Sequence, residues 1–381
     1  FNPLEKGLRL VVAMNILLIN PFHTGSHANW VNGLVKYLPE IRNDHLTSWT
    51  LPGKHWKWRM HGAGGHFADR ARSVDWVPDL VITTDMMDVA SFRGLLPAHW
   101  RKIPIVQYFH ENQLTFPWSP NDPELKTGRN RTYEFMNIQS AAAADSIWFN
   151  SAYHRDVFIA AASSFLKGMP DHTAAYSPKK IHAKSRIVPL GIRDKPSPEQ
   201  RRTMNRPPVI LWNHRWEYDK GPDAFFDKLN LLIQSGENFQ LILCGEQFNA
   251  IPEAFQRIQD SHGARVIHSG FAESQAQYGE LLQQSDLLIH LPLQEYFGLS
   301  VAEAMSSGVI PLLQRDQAYP EWVPDEFLFD SDEEFLAKWR AALKRPSALR
   351  LRAHAAVEPF FWSNVAIQFI DECRMVTPHA H

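Results

Sequence analysis

A chain of 381 residues that is 44% hydrophobic can bury more than one core, and its length favours two ordinary domains over one. A formal net charge of −2 gives no global field to recruit nucleic acid or anionic lipid, so any such contact must come from a local patch. Two cysteines, Cys244 and Cys373, with no CxxC spacing argue against a disulfide framework and a structural zinc site, and fit a reducing cytoplasm best.

Residues 1–13 precede Met14, which opens the first clear strand, and are expected to be a leader, a misassigned start or a vector remnant. No run approaches the roughly 18 to 20 apolar residues of a spanning helix, so no stable membrane insertion is expected. Short apolar runs then alternate with helical patterns: NILLIN (15–20), DLVITTD (79–85), IPIVQYFHEN (103–112), SIWFNS (146–151) and RIVPLGI (186–192). Such alternation implies βαβ units and a parallel sheet. The polar, proline-containing stretch 193–208 interrupts the pattern, which restarts with VILWNHR, FQLILCGE, ARVIHSG, DLLIHLP and GVIPLL. The expected architecture is α/β, with two doubly wound Rossmann-like domains at 14–192 and 209–355, a linker at 193–208 and a C-terminal segment at 356–381. Within that segment WSNVAIQFIDECRMV (362–376) reads as an amphipathic helix.

Ligands of open α/β sheets collect at the carboxyl ends of strands, where helix N-termini offer unpaired N–H groups. In NPFHTGSHANW (20–30), Gly25 permits a tight backbone approach and Ser26 with His27 opens a helix, which makes either a phosphate cradle or a plain turn. In WNHRWEYDKG (212–221), Arg215 can bind two phosphate oxygens and Lys220 supplies a mobile point charge. The pair could neutralise a diphosphate without metal, although a solvated loop has the same composition. HLPLQEYFGLSVAEAMSSG (290–308) reads as strand exit, loop and helix start, with Glu295 before the helix and Glu303 inside it. A retaining glycosidase needs two carboxylates about 5 Å apart across one bond. This placement does not imply that geometry, and it points to two different ligand groups. The helix dipole alone would also favour an acid in the first turns.

GKHWKWRMHG (53–62) interleaves Lys54, Lys57 and Arg59 with Trp56 and Trp58. Aromatic faces stack on bases while cations meet phosphates, the combination used for single-stranded RNA. LKTGRNR (125–131) adds a second basic patch, and an ordinary surface with snorkelling cations would read the same way. DSD (330–332) has the spacing of metal-binding acids but stands late in the chain beside two glutamates, and no metal is expected there.

Glu295-x7-Glu303, with Arg215, Lys220 and the two-domain βα pattern, resembles the GT-B glycosyltransferases of family 4, which use nucleotide-sugar donors and retain anomeric configuration. NPFHTGSHANW, LPGKHWKWRMHG, QYFHENQLTFP, FNSAYHRDVF and WNHRWEYDKGPDAFF are similar to the tRNA-queuosine α-mannosyltransferase family, and the similarity covers roughly residues 14–320. The resemblance implies a GT-B fold: an N-terminal acceptor domain and a C-terminal nucleotide-sugar domain facing a cleft, with the last helix returning to the first domain. It implies transfer of mannose from GDP-mannose to the queuosine of a tRNA anticodon, with retention, without metal and with no cofactor beyond the donor substrate.

Residue by residue, the resemblance puts Glu295 on donor-sugar hydroxyls, Glu303 on the ribose, and the N–H groups of Phe297, Gly298 and Leu299 on sugar and diphosphate. Arg215 and Lys220 would stabilise charge developing on the leaving group, and Gly25 and Ser26 would join the donor site. His110 would lie beside the donor sugar, completing a catalytic set with Glu295, Arg215 and Lys220. Glu111, Asn112 and Gln113 would join Lys54, Trp56, Lys57, Trp58 and Arg59 on the acceptor. A donor phosphate oxygen would take the acceptor proton, so no protein base is demanded. Competing readings are a family 4 transferase with a lipid or polysaccharide acceptor, a nucleotide-sugar epimerase, and a non-catalytic RNA-binding protein on the same fold.

Overall fold

The computed structural model describes residues 13–41, 44–119, 122–198, 204, 207–247 and 251–377. The expected leader, apart from Ala13, and linker residues 199–203 and 205–206 lie outside the described residues.

Two six-stranded parallel sheets carry the chain. The first comprises β1 (Asn15–His23), β2 (His45–Pro52), β3 (Leu80–Thr84), β4 (Ile105–Phe109), β5 (Ser146–Phe149) and β6 (Ser185–Ile187), in the order β2-β1-β3-β4-β5-β6. The second comprises β7 (Val209–Trp212), β8 (Gln240–Cys244), β9 (Val266–Gly270), β10 (Leu287–His290), β11 (Ile310–Gln314) and β12 (Leu328–Phe329), in the order β12-β11-β10-β7-β8-β9. Strands β3, β4, β5, β7 and β10 are buried at every position, as parallel strands covered by helices on both faces must be.

The order reverses beside β1 in one sheet and between β7 and β10 in the other. Those reversals open the crevices in which such sheets bind ligands.

The sequence reading passed over β2, because HLTSWTLP is polar along most of its length and fully buries only Trp49. Parallel pairing with β1, from Asn15 opposite His45 onward, makes it an edge strand. The run 186–192 yields only the three-residue β6, and Ile192 beyond it makes an isolated bridge to Phe361.

The helix Trp362–Val376 forms as its periodicity predicts and returns to the first domain, burying Trp362, Val365, Phe369 and Ile370. The Trp362 ring lies over Gly33 of the helix Gly25–Ile41, so close that a Cβ on Gly33 would sit 2.0 Å from the ring. Arg374 reaches Asp44 at 3.1 Å, and Asp44 also accepts the Met14 N–H at 2.8 Å. The preceding helix, Pro346–Val357, is anchored to the second domain through a buried pair, Arg350 with Asp286 at 2.6 Å. No helix among the described residues is long and apolar enough to cross a membrane.

Candidate active site

Because β7 and β10 are neighbours, their exit loops run side by side. Gly221 adopts φ +69°, and a Cβ there would lie 1.9 Å from the Leu291 carbonyl oxygen, so only glycine lets the loops close. The Leu293 N–H donates to the Asp219 carbonyl at 2.9 Å, fastening them. This contact brings Lys220 Nζ to Glu295 Oε2 at 3.1 Å and to the buried Asp219 at 3.3 Å.

Burial alone would lower the Lys220 pKa, but Glu295 and Asp219 beside it raise it, so the ammonium persists. Burial likewise pushes the Glu295 carboxyl up, and Lys220 overrides that and holds it below its ordinary value. Arg215 pairs with Glu217 at 2.9 Å and approaches Asp219 at 3.8 Å while keeping 43% of its side chain exposed. It is the cation with room to move.

Glu295 Oε1 accepts the N–H groups of Gly298 at 3.0 Å and Phe297 at 3.4 Å, just ahead of the helix Leu299–Ser306. Two of the three N–H groups expected to face a diphosphate are therefore held by the protein's own carboxylate in this state. Glu303 sits in a separate environment. Its Oε2 accepts from Tyr278 Oη at 3.0 Å, and Asn213 Nδ2 donates to Tyr278 Oη at 3.0 Å and to the Ser300 carbonyl at 2.8 Å. Burial raises the Glu303 pKa, partly countered by the tyrosine hydrogen bond. The two glutamates thus sit in different surroundings, Glu295 with Lys220 and the helix entry, Glu303 with Tyr278.

Between them lies a feature that sequence reasoning missed. The His214 and His290 rings stack at 3.6 Å with planes 15° apart. His214 Nδ1 shares a hydrogen bond with Ser300 Oγ at 2.7 Å, and His290 Nδ1 shares one with Tyr319 Oη at 2.5 Å. Both Nε2 atoms are buried without a partner among the described residues. Burial drives both pKa values well below normal, and nearby Lys220 adds to the effect. Two neutral imidazoles can stack so closely; two imidazolium ions in that space would repel. The available signal was a histidine at each strand exit of the switch point.

The opposite wall comes from the first domain. His110, just past β4, anchors its N–H on Asp85 Oδ1 at 2.9 Å, and its ring lies 4.2 Å from that of His27. Neither His110 ring nitrogen has a partner among the described residues, and both are buried. Burial, then His27, holds the His110 pKa well below normal. Burial carries His27 down to about 3, with the Arg215 guanidinium of the other domain the next cause. Gly25 and Ser26 lie exposed at the start of the same helix.

Glu111 is half-buried; burial raises its carboxyl and Arg215 opposes the rise. Asn112 is committed to its own turn, its Oδ1 accepting the N–H groups of Leu114 at 3.1 Å and Thr115 at 3.0 Å. Gln113 Nε2 donates to Glu111 Oε1 at 3.3 Å. Tyr296 closes the walls together: its hydroxyl meets Thr115 Oγ1 at 2.8 Å and its ring stacks on His154 at 4.0 Å.

The stretch 53–62 is largely the opening of the helix Trp56–Arg72. Trp56 is drawn into a satellite cluster with Met60, Met86, Tyr133, Phe22 and Trp118. Lys57 is held by Asp122 at 2.8 Å and Glu124 at 3.2 Å. Trp58 is 65% exposed and Lys54 is exposed, whereas Arg59 is half-buried with its Nη2 3.5 Å from the Pro52 carbonyl. Asp330 pairs with Arg315 at 3.0 Å and Asp332 pairs with Lys228. No group of three His, Cys, Asp or Glu side chains among the described residues could hold a metal.

Residues 15–192 match the family described as tRNA-queuosine alpha-mannosyltransferase N-terminal, and residues 194–356 match Glycosyl transferases group 1. The chain is 29% identical over 357 residues to the tRNA-queuosine alpha-mannosyltransferase of Drosophila melanogaster, covering 91% of each. It is 25% identical over 179 residues to a GDP-mannose:cellobiosyl-diphosphopolyprenol alpha-mannosyltransferase of Xanthomonas oryzae pv. oryzae, covering 43% of this chain and 46% of the relative. Among solved structures, Anabaena Alr3699/HepE in complex with UDP and glucose superposes with a TM-score of 0.65 at 17% identity, covering 95% of this chain and 100% of that one. Sucrose-phosphate synthase from Thermosynechococcus elongatus does so with 0.68 at 14%, covering 97% and 100%. At such identities the structural likenesses establish the fold alone. The chain is a GT-B glycosyltransferase in which an N-terminal domain of the tRNA-queuosine alpha-mannosyltransferase family is joined to a group 1 glycosyltransferase domain.

Proposed function

We propose that this protein is a retaining, metal-independent mannosyltransferase that moves mannose from GDP-mannose to the queuosine of tRNA in the cytoplasm. The observation that carries the reading is the Arg215–Lys220–Glu295 cluster, closed over by a first domain of the queuosine-mannosyltransferase family.

Glu303 holds the ribose hydroxyls, and Glu295, already aligned by Lys220 and the N–H groups of Phe297 and Gly298, receives donor-sugar hydroxyls. Arg215 leaves Glu217 for the diphosphate, and Lys220 stays beneath it. His110, neutral and with both ring nitrogens unfilled, meets the sugar from the other wall.

The acceptor oxygen bonds to the anomeric carbon on the face from which the diphosphate departs. The anomeric carbon–oxygen bond to phosphate breaks, and the acceptor proton passes to a phosphate oxygen, yielding GDP and the mannosylated base. Arg215 and Lys220 stabilise the charge that develops on the leaving group, the role a metal fills elsewhere. No further cofactor enters this scheme.

The test incubates the protein with labelled GDP-mannose and tRNA pools containing or lacking queuosine, with and without EDTA. Label confined to the queuosine pool and unaffected by EDTA is expected. Equal labelling of both pools, or of neither, would sink the acceptor assignment, and loss with EDTA would sink metal independence.

A further inference from the structure

Lys57 does more than neutralise two acids. Its bonds to Asp122 and Glu124, with Tyr133 Oη donating to Glu124 Oε1 at 3.3 Å, hold the start of the helix Trp56–Arg72 beside the helices Pro123–Thr127 and Asn130–Ala143. The two basic stretches therefore form one surface.

Along residues 54–62 and 122–134 that surface carries Lys54, Lys57, Arg59, Lys126, Arg129 and Arg131 against Asp122, Glu124 and Glu134, on a chain whose net charge is −2. Lys57 already occupies two of the three carboxylates. Lys54, Lys126 and Arg129 are exposed, and none is in an ion pair among the described residues. Trp58 stands exposed among them, its ring against Gly62, where a Cβ would come within 2.8 Å.

Under this surface the rings of Trp56, Trp118 and Tyr133 pack at 5.2 to 5.9 Å from one another. Phe22 packs against the same cluster and presents itself to the His27 ring at 5.9 Å, nearly perpendicular. A continuous aromatic floor thus runs from the basic surface to the His27–His110 wall of the cleft.

We propose that this face of the first domain docks the phosphate backbone of an RNA loop, with Lys54, Lys126 and Arg129 as phosphate contacts and Trp58 as a stacking platform. Trp56 and Lys57 are its scaffold, not its contacts. One nucleotide extruded from the loop would follow the aromatic floor into the cleft while its flanking phosphates stay on the rim, the usual solution for chemistry on a base. The proposal rests on the tRNA reading above and names the surface that reading requires.

The test needs no queuosine for its first readout. Binding of an unmodified tRNA transcript is measured by fluorescence anisotropy across salt concentrations for the wild type, for Lys54→Glu with Arg129→Glu, and for Trp58→Ala. The double variant is expected to bind at least about tenfold more weakly near 0.1 M salt. Its salt slope should be shallower by roughly 0.7 to 0.9 per lost phosphate contact. Trp58→Ala is expected to weaken binding with the slope unchanged, and donor affinity should stay at wild type in every variant. Unaltered tRNA affinity and slope, equal loss of donor affinity, or a wild type that binds no tRNA would each overturn the docking face. Mannose transfer by the wild type is scored separately: a protein that binds tRNA through these residues yet transfers nothing to queuosine tRNA would overturn the function and leave the face standing.

Discussion

On the proposed ribose role Glu303 supplies ground-state binding, so Glu303→Ala is expected to raise the donor KM at least about tenfold with little change in kcat, and an unchanged KM in steady-state assays would contradict that role. Tyr278→Phe removes the tyrosine hydroxyl hydrogen bond to that carboxylate and should raise the same KM about fivefold, the worth of about 1 kcal/mol. At the stacked imidazoles, His290→Phe keeps the ring but strands the buried Tyr319 hydroxyl. It should cost about 1–3 kcal/mol in urea unfolding and, on the proposed donor site, weaken donor binding, because the stacked rings lie at the exits of β7 and β10. At this scale the sequence singled out Arg215, Lys220, Glu295 and Glu303, since the spacing within each pair is local. It hid their pairing: Lys220 meets Glu295 from 75 residues away, and Ser300 meets His214 from 86. Asn112 was legible as a polar strand-exit residue, but its commitment to a turn was not.

Elements fail where backbones touch. Gly221→Ala puts a Cβ into the Leu291 carbonyl and strains a positive φ, so an unfolding free energy lower by about 3 kcal/mol or more is expected, with donor binding lost as the loops part. Isothermal titration with GDP alongside denaturant melts separates the two effects. Trp56→Ala empties a half-buried site in the satellite cluster and should cost about 2–4 kcal/mol, lowering tRNA and donor use together. Trp58→Ala should leave the melting temperature within about a degree of wild type. The alternation of apolar runs and helices disclosed both sheets because buried parallel strands announce themselves as unbroken apolar stretches. The edge strand β2 stayed hidden since one side of it faces water. The withdrawal of Trp56 and Lys57 could not be read from GKHWKWRMHG, since Trp118, Asp122 and Tyr133 arrive from more than 60 residues downstream.

The whole molecule holds His27, His110, His154, His214 and His290 neutral by burial, each with its pKa below the ordinary 6.5. Below pH 6.5 the unfolded chain takes up protons that the folded one refuses, so stability falls with acidity by up to about 1.4 kcal/mol per pH unit for each histidine. Above pH 6.5 that contribution is fully present. Asp85, Glu111, Glu217 and Glu303, pushed up by burial, bind protons in the folded state and oppose the trend on the acid side. Thermal melts should be level from pH 7 to 8 and drop from 6.5 to 5.5; a level profile down to 5.5 would show that these imidazoles are not buried as described.

The last helix has a consequence for how the protein is made. Domains usually fold as units during synthesis, the N-terminal one first. Here the first domain leaves the ribosome with Gly33 and Gly191 facing an empty slot, which Trp362 fills only after the entire second domain has been translated. Trp30 and Trp148, both edge-on to Phe369, wait for the same helix. Nascent chains released before residue 376 should therefore present this apolar seam to chaperones and proteases, and limited proteolysis of stalled chains would reveal the first domain closing only when that helix emerges.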